Sequence, residues 1–425
     1  MHTTDPSGTP ADFMAGAFAA LGRFAPDPTD LFIGLVFRLS GPCPSVDAVR
    51  ERVASRLDRL SPLTERLVPG EVVRWEPDPD FDLAHHVRVL PRQEVVAPAR
   101  AVFAGSFDPA RPPWGLWISD NGSGTWDAYY LVHHARQDAG GAVRTAEALL
   151  GDAEPAAWRK AGDRRRSWSR GWPAVASLLP DLLRARLPAE PAPRWPVREG
   201  APGAGPVFAQ GVVPVDALKR VARCTGATVN QVHLAAMAEA LAGWLPRVPA
   251  RQVCLPVETR RDGEPHDDFA NRIGLMRAVL PCGDVTPAER LRAVVASASR
   301  ARLARHRRAW RDLTDNASAQ VAGRVLARIT DPARVGVTVA SVRVPELPAL
   351  MGGRVLDVTA IPWLPPGHTC FASLISYGDR ARLSVLVPGG APDPLELTRR
   401  WVEAVDASGA DRVGGPVAAR SPDPI

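Results

Sequence analysis

Two adjacent histidines and a nearby aspartate, His133, His134 and Asp138, are the side chains of this sequence best suited to acid–base chemistry. A histidine base needs a rigid position, a partner that fixes the tautomer of its ring, and room for a substrate. A strongly apolar strand predicted over residues 126–132 runs directly into the pair and would anchor it. Because side chains alternate along a strand, one histidine can face inward while the other faces a cleft. These residue types suit the deprotonation of a hydroxyl or an amine beside an activated acyl group.

The turn that follows the histidines could bring an acid back to them. Asp138 lies where a tight loop can fold it beneath the histidines or onto an arginine. Ala139, Gly140 and Gly141 then keep the backbone slim at the start of a helix predicted over residues 141–150, where a substrate could approach. A buried histidine pair with a capping aspartate would produce the same run, so the motif alone does not establish a site.

Apolar periodicity predicts a β–α start for the first half of the chain. A strand over residues 31–39 precedes a helix in which Val46, Val49 and Val53 recur at three- and four-residue spacing behind Ser45, a suitable N-cap. The next predicted elements are strands at 72–75 and 87–90 and a helix at 96–107. The first 28 residues are expected to be loose, with at most a short helix over 12–23.

The second half of the chain repeats this alternation of strands and helices. Strands are predicted at 207–214, 253–257, 274–280, 335–344, 354–361, 369–377 and 382–387. Helices are predicted at 215–224, 230–245 and 394–405. The sequence Thr286-Pro287-Ala288-Glu289 is a capping box with proline at the first helical position, and it predicts one long helix running toward Arg307.

The chain of 425 residues is long enough for two domains. Both halves alternate strands and helices without the glycine-rich turn of a nucleotide-binding fold, which predicts an α/β protein of two layers side by side, each with a mixed sheet. We place an N-terminal lobe at residues 1–152, a linker rich in Pro, Arg and Trp at 153–206, a C-terminal lobe at 207–410 and a disordered tail at 411–425. The linker has one convincing amphipathic piece, at 172–186.

Composition narrows the class of protein. The five cysteines are scattered without metal-ligand spacing, and no leader or membrane-spanning stretch is evident, so we expect a cytoplasmic protein with reduced thiols and no metal site. The net charge of +6 comes almost wholly from arginine, much of it in the predicted linker beside tryptophans. Such a segment could bind nucleic acid, anionic lipid or an acidic carrier protein, but we interpret it as a solvated linker, with no nucleic-acid partner and at most peripheral membrane contact.

The run from His133 to Ala139 resembles the HHxxxDG motif of the chloramphenicol acetyltransferase and condensation-domain superfamily. Its surroundings look most like the branch of wax ester synthases and diacylglycerol acyltransferases. The segments that match in order, between about residue 30 and residue 407, are Trp75-Glu76-Pro77-Asp78, Phe81-Asp82 with His86, Phe107-Asp108, Arg111-Pro112-Pro113-Trp114, Leu116-Trp117, Thr228-Val229-Asn230, Pro256-Val257 with Arg260, Asn271-Arg272-Ile273-Gly274-Leu275, and Ser341 before Val344-Pro345.

The resemblance implies two similar lobes that form a V-shaped pseudo-dimer around a central tunnel. His134 would be the general base, His133 its neighbour in the site, and Asp138 the acid of a structural salt bridge to either Arg272 or Arg136. By the same resemblance, the residues expected to contact substrate are Ala139, Gly140, Asn230, Arg272 and Ser341. A helix cap would also explain Asn230.

The resemblance implies acyl transfer from a CoA or carrier-protein thioester to a hydroxyl or amine acceptor, without a further cofactor. Three positions depart from the family pattern: Ala139 replaces the final motif glycine, Gln231 replaces an aspartate, and the segment after Ser341 lacks an asparagine and a glycine. These departures favour a specialised biosynthetic enzyme. The alternatives are a wax ester or triacylglycerol synthase, or a catalytically degenerate protein that binds an acyl thioester or a partner.

Overall fold

Fourteen strands form three sheets in the part of the chain that the structure describes. The structure is a computed structural model, and its described residues are 8–23, 25, 27–70, 72–93, 96–103, 107–158, 176, 205–246, 248–260, 268–316 and 319–410. The strands are β1 (Thr9–Pro10), β2 (Phe32–Ser40), β3 (Glu65–Val68), β4 (Arg74–Pro77), β5 (Val87–Val89), β6 (Trp114–Asp120), β7 (Thr125–His133), β8 (Val207–Pro214), β9 (Ala250–Glu258), β10 (Ile273–Pro281), β11 (Val337–Arg343), β12 (Val355–Ile361), β13 (Cys370–Tyr377) and β14 (Arg380–Val387).

Helices cover these sheets. They are α1 (Phe13–Gly22), α2 (Val46–Ala54), α3 (Leu83–His86), α4 (Ala99–Val102), α5 (Ala139–Leu150), α6 (Val215–Thr225), α7 (Val229–Trp244), α8 (Pro287–Ser297), α9 (Arg300–Asn316), α10 (Ala319–Ile329) and α11 (Pro394–Ala410), with short 3-10 turns at Pro28–Leu31 and Ser61–Thr64. Among the described residues, none of the helices is long and apolar enough to cross a membrane.

The two large sheets are both mixed, and each belongs to one half of the molecule. The first has the order β12-β2-β7-β6-β5, and the second has the order β10-β9-β11-β13-β14-β8. In the first sheet β5 and β6 are parallel and the other neighbours are antiparallel; in the second, β11 is parallel to both β9 and β13. The predicted α/β architecture of two mixed-sheet lobes is therefore confirmed. The V shape and the tunnel remain predictions.

Strand β7 is the central strand that carries the histidines. It pairs with β2 on one side and β6 on the other, and the residues from Trp126 to Val132 are all buried. Burial on both faces explains why this strand has a continuous apolar sequence instead of an alternating one. In register, His133 lies opposite Phe32. The sheet thus fixes the point where the chain leaves β7 and enters the histidine turn.

Strand β12 crosses from the second half of the chain into the first sheet. It lies within the stretch predicted as the C-terminal lobe, yet it pairs antiparallel with β2, where Ile361 lies opposite Gly34. Side chains on either side of this crossing are tied together, since Arg382 of β14 donates to the carboxylate of Asp357 on β12. The crossing therefore brings the loop that follows β12 to the first sheet.

Three predicted features differ from the structure. The long helix after Thr286 is two helices, α8 and α9, because the backbone leaves the helical region at Ala298, and the hydroxyl of Ser299 accepts from the N–H of Arg302 at 3.3 Å to restart it. The short helix considered over residues 12–23 is confirmed as α1, but this part of the N-terminal segment is not loose, since α1 begins at its N-cap Asp12 and is buried over Phe13 to Phe18. In the described residues 96–103, the helix predicted at 96–107 is a single turn, α4.

Several elements were not predicted from the sequence, including β6, α10 and the short β1, β3 and α3, and two predicted segments cannot be compared with the structure. Strand β6 was missed because Trp114 to Ser119 are all buried, which removes the alternation that reveals a strand. Helix α10 was missed as well. The predicted linker helix at 172–186, apart from residue 176, and the predicted tail at 411–425 lie outside the described residues.

We expect the Asp357→Ala substitution to lower the free energy of unfolding by about 2–3 kcal/mol, because it leaves the Arg382 guanidinium without its carboxylate. This figure is below the cost for a fully buried pair, since the Arg382 side chain keeps 16% exposure. Denaturant titration measures the change. The matched control is Asp379→Ala, which removes an ion pair whose side chains are 55% and 95% exposed and should cost about 0–1 kcal/mol. Equal losses in the two variants would contradict a structural role for the crossing pair.

Candidate active site

The backbone of the histidine turn is fixed by four hydrogen bonds. The N–H of His133 donates to the carbonyl of Pro113 at 2.9 Å, and the N–H of His134 donates to the carbonyl of Leu31 at 2.8 Å. The turn closes on His133, whose Nδ1 accepts from the N–H of Ala135 at 3.0 Å and whose carbonyl accepts from Arg136 at 2.9 Å. His133 is thus committed to shaping the turn, and His134 follows it in a set position.

The ring of His134 is oriented so that Nε2 is left available. Its Nδ1 lies 3.0 Å from the carbonyl oxygen of Gln137. Because a carbonyl can only accept, this hydrogen bond requires the proton on Nδ1, and Nε2 of the neutral ring then carries the lone pair. Nε2 makes no hydrogen bond to any side chain or backbone group that the structure describes. This is the tautomer that a general base needs.

Aromatic rings enclose His134 on two sides. Phe18 of α1 stacks on the imidazole with centroids 4.2 Å apart and planes at 16°, and Trp363, in the loop after β12, meets it edge-on at 5.4 Å. His134 keeps only 6% exposure. This burial lowers the pKa of His134 to about 4, although the charge of Asp138 opposes the shift, and burial lowers the pKa of His133 to about 3. Both rings are therefore neutral at pH 7.

Asn271 is a contact of His134 that sequence reasoning did not assign to the site. Its Nδ2 donates to the carbonyl of His134 at 2.6 Å, whereas its 3.2 Å contact with the protonated ring Nδ1 joins two donors and is not a hydrogen bond. Asn271 is 2% exposed, and its Oδ1 is buried with no hydrogen-bond partner among the described residues. The only signal in the sequence was its place in one of the collinear segments, which gave no role.

Asp138 is held by groups from both halves of the chain. It caps α5 by accepting from the N–H of Gly141 at 2.7 Å, and it accepts from the backbone N–H of Arg272 at 2.5 Å. Its side-chain partner is Arg260, whose Nη1 lies 3.0 Å and 2.9 Å from the two carboxylate oxygens. Asp138 and Arg260 keep 2% and 3% of their side-chain exposure. The expected structural salt bridge exists, but with Arg260.

Both arginines proposed as partners of Asp138 are engaged elsewhere, so those predictions are wrong for the side chains. Arg272 pairs with Asp268 at 2.9 Å and Asp315 at 3.4 Å. Arg136 pairs with Glu65 at 3.0 Å and stacks its guanidinium 3.6 Å above the ring of Trp75. Spacing along the chain could not reveal this, because the choice depends on how the loop containing residues 268–272 folds against the histidine turn.

Gln137 and Gly141 show how closely the two halves approach. Gln137 is completely buried; it accepts from the hydroxyl of Tyr130 at 2.7 Å and donates to the carbonyl of Phe269 at 3.0 Å. A Cβ on Gly141 would lie 2.3 Å from the same carbonyl oxygen. Only glycine fits there without moving the backbone. Neither residue had been assigned to the site from the sequence beyond a general need for a slim backbone.

The residues expected to contact substrate are only partly gathered here. Ala139 and Gly140 begin α5, half-buried, and a Cβ on Gly140 would lie 3.0 Å from Arg260 Nη1. The guanidinium of Arg272 is buried in its ion pairs. Ser341 is exposed on β11. No hydrogen bond joins Ser341 or Asn230 to the histidine turn within the described ranges. Substrate contact by these five residues remains a prediction.

The start of α7 differs from the cap considered for Asn230. Thr228 is the N-cap: its hydroxyl accepts from the N–H of Gln231 at 3.2 Å, and Gln231 Oε1 accepts from the N–H of Thr228 at 2.8 Å. The alternative role of Asn230 as the cap is therefore wrong, and Asn230 is a half-buried residue of the first turn. In the parts of the chain that the structure describes, no group of three His, Cys, Asp or Glu side chains is placed to hold a metal ion.

Two family models match this chain, one in each half. Residues 32–169 match the wax ester synthase/diacylglycerol acyltransferase catalytic domain, and residues 269–407 match the C-terminal domain of the same family. Among curated proteins, the chain is 27% identical over 403 residues to one named probable diacylglycerol O-acyltransferase tgs1 from Mycobacterium tuberculosis. That alignment covers 84% of this chain and 86% of the relative.

Solved structures show the same fold at low sequence identity. The wax ester synthase/diacylglycerol acyltransferase from Marinobacter aquaeolei VT8 superposes with a TM-score of 0.61 at 18% identity, covering 96% of this chain and all of that one. The starter condensation domain of rhizomide synthetase, solved with C8-CoA and Leu-SNAC, gives a TM-score of 0.66 at 14% identity, covering 95% of each chain. The match extends over both halves of the molecule.

We expect the Asp138→Asn substitution to lower the free energy of unfolding by about 3–5 kcal/mol, because it leaves the Arg260 guanidinium buried without a counter-charge while preserving side-chain volume. Denaturant titration tests this. Asp108→Asn is the control, since Asp108 is 44% exposed and its ion pair with Arg111 should be worth about 0–1 kcal/mol. Unchanged stability in the Asp138 variant would mean that the ion pair does not hold the two halves together.

Proposed function

Since the chain belongs to the wax ester synthase/diacylglycerol acyltransferase family, we propose that it forms an ester by transferring an acyl group from a thioester to the hydroxyl of an apolar acceptor, with His134 as the general base. Acyl transfer is the activity of the family as a whole. The observation that carries the role of His134 is its tautomer: Nδ1 donates to the Gln137 carbonyl, and Nε2 is left unpaired.

The proposed reaction is direct transfer without an acyl-enzyme. Nε2 of His134 takes the hydroxyl proton as the oxygen attacks the thioester carbonyl carbon. The carbon–oxygen bond forms, the carbon–sulfur bond breaks, and the proton passes from Nε2 to the departing thiolate. During transfer the imidazolium is stabilised by the Gln137 carbonyl at Nδ1 and by the negative charge of Asp138.

The comparisons support the storage-lipid alternative better than the specialised biosynthetic role inferred from the altered motifs. The curated relative is named as a diacylglycerol O-acyltransferase, and the match covers most of both chains. We therefore propose a lipid-like alcohol as the acceptor. For the donor we propose an acyl-CoA, or an acyl group on a carrier-protein thioester, and no further cofactor; the rhizomide starter domain, solved with C8-CoA, supports the first of these.

A product assay tests the reaction directly. Purified protein is given acyl-CoAs of short and long chain, together with carrier-bound acyl groups, and either a fatty alcohol, a mono- or diacylglycerol, or an amine. Mass spectrometry detects the product. Ester formation supports the proposal, amide formation with amines alone would replace it, and binding of acyl thioesters without any product would favour the degenerate alternative.

We expect His134→Ala to lower turnover by about 10²- to 10⁴-fold, the contribution typical of a general base. The measurement is the initial rate of product formation, with folding checked by circular dichroism. The matched control is His85→Ala, since His85 is a partly exposed histidine of a separate pair that contacts Arg88. A folded His134 variant with a near-normal rate would rule out this residue as the base.

The pH dependence of the rate should report the lowered pKa of His134, which burial brings to about 4. His134 can act as a base only when its ring is neutral. Titration of this ring should therefore make kcat/KM rise with pH through about 4 and leave it flat from pH 6 to 8. An acid limb centred between 6 and 7 would contradict the buried, neutral ring.

A control in which the protein is exposed briefly to acid and returned to pH 7 separates the acid limb of the rate profile from acid unfolding. Burial also lowers the pKa of His86 to about 4 and that of His233 to about 3, below the ordinary 6.5. The unfolded chain therefore binds more protons than the folded one between these values, and stability falls as pH drops from 6.5 toward 4. Activity that recovers fully after brief exposure and return to pH 7 belongs to titration of the site.

A further inference from the structure

A cavity of about 630 Å³ lies between the two halves of the molecule, outside the histidine turn. The first half supplies Phe32 at the start of β2 and Ala99 at the start of α4. The second half supplies the loop that follows β12 and residues at the end of β14. Its volume is within the roughly 300–1,000 Å³ that is typical of small-molecule sites.

The inner wall of this cavity is one aromatic ring thick. Phe32 lines it and also meets the ring of His133 edge-on with centroids 5.3 Å apart. Trp363 lines it and meets His134 edge-on at 5.4 Å. A molecule in the cavity would therefore contact the two rings that pack against the histidine pair.

The lining is apolar and stiff. Seven of its nineteen residues are prolines, which have no backbone N–H to donate, and a leucine, Leu364, adds aliphatic surface beside Trp363. The fixed φ of proline also reduces the freedom that binding would remove. Such walls suit the hydrocarbon part of a ligand.

The charges of the cavity do not favour an anion. Arg100 is the cation of the lining, and it is already paired with two carboxylates: its Nη2 lies 2.7 Å from Asp30, and its Nε lies 3.3 Å from Asp27. A fatty acid or a nucleotide phosphate would have to displace one of them. The occupant that fits these charges is uncharged.

The lining contains a buried imidazole, that of His368. His368 is 3% exposed, and its Nε2 lies 2.8 Å from the carbonyl of Thr330, which can only accept. The proton is therefore on Nε2, and Nδ1 is an acceptor. Nδ1 is buried without a hydrogen-bond partner among the described residues. Burial lowers the pKa of His368, so the ring stays neutral and Nδ1 keeps its lone pair at pH 7.

We propose that this cavity binds the apolar body of the acceptor, and that the acceptor carries a second donor, a hydroxyl or an amide N–H, that pairs with Nδ1 of His368. This inference rests on the proposed function, because the reacting hydroxyl is taken to reach His134. It specifies the class further: a lipid-like diol or a monoacylglycerol type of acceptor fits, whereas a simple fatty alcohol or a diacylglycerol has no second donor.

Binding measurements test the cavity without turnover. They use the full chain with His134→Ala, which prevents the reaction and removes the His134 ring as an alternative acceptor for the hydroxyl. Calorimetry then measures the binding of 1-decanol, decyl methyl ether and decanoate. We expect decanol to bind more tightly than the donor-free ether and decanoate to bind worst. Adding His368→Phe, which keeps a planar ring but removes the Nδ1 acceptor together with the N–H toward Thr330, should weaken decanol binding by roughly 2- to 12-fold and leave binding of the ether unchanged.

The control for location is Arg354→Ala, in a second cavity of about 630 Å³ that lies beside β12 and β14. This substitution should leave decanol binding unchanged. The proposal is overturned if decanoate binds as tightly as decanol, if His368→Phe has no effect on decanol, if Arg354→Ala removes binding, or if no probe binds.

Kinetics with the otherwise native chain connects the cavity to the reaction. His368→Phe should lower kcat/KM for 1,2-decanediol or 1,10-decanediol by roughly 2- to 12-fold and leave that for 1-decanol unchanged. If the binding results hold but no acceptor is turned over, the cavity assignment stands and the proposed function fails. If esters form but the binding results fail, the proposed function stands and the cavity assignment is wrong.

Discussion

The buried carboxylate of Asp138 is the point on which the two halves of the molecule meet. Its oxygens accept from the N–H of Gly141 in the first turn of α5, from the backbone N–H of Arg272 and from the guanidinium of Arg260, which itself donates to the carbonyl of Ala270. A carboxylate at 2% exposure is tolerated only when charge and hydrogen bonds compensate for lost water. Because these donors come from both halves, the full set of hydrogen bonds to Asp138 forms only when the halves are docked. The contact of Asn271 with His134 then follows from the same docking.

One acid could both hold the structure around the site together and fix the tautomer of the histidine base. In this protein the two tasks belong to different groups. The hydrogen bonds of Asp138 are all used to hold the backbone and Arg260, so the tautomer of His134 is set instead by the Gln137 carbonyl. Asp138 still acts on the ring through space, because its charge opposes the fall in pKa that burial causes. A base with a lowered pKa is always unprotonated at pH 7, but it is intrinsically weak. The field of a nearby carboxylate compensates at the moment when the imidazolium forms.

The sequence predicted those features that depend on neighbours along the chain. The strand into His133, the cap at Thr286 and the helix after Asp138 all followed from local patterns, and the structure has each of them. What the sequence withheld depends on contacts between distant segments. Arg260 could not be chosen over Arg272 or Arg136, because the choice depends on the path of a loop more than 120 residues beyond Asp138. The same is true of β12, whose own pattern is that of an ordinary strand and whose place in the first sheet is a tertiary fact.

The departures from the family motif have a simpler explanation once the helix starts are known. Gln231 completes the capping box of α7 and also donates to the carbonyl of Ala298 at 2.9 Å, so an amide is needed there for both an acceptor and a donor. Ala139 is the first residue of α5 and is only half-buried, whereas Gly141, where a Cβ would strike Phe269, has kept its glycine. Neither replacement alters the groups around the His134 ring. The altered positions are therefore explained by how α5 and α7 begin. The preference for an acceptor should depend instead on the residues near the histidine pair, which are Phe18 of α1 and the loop that contains Trp363 and His368.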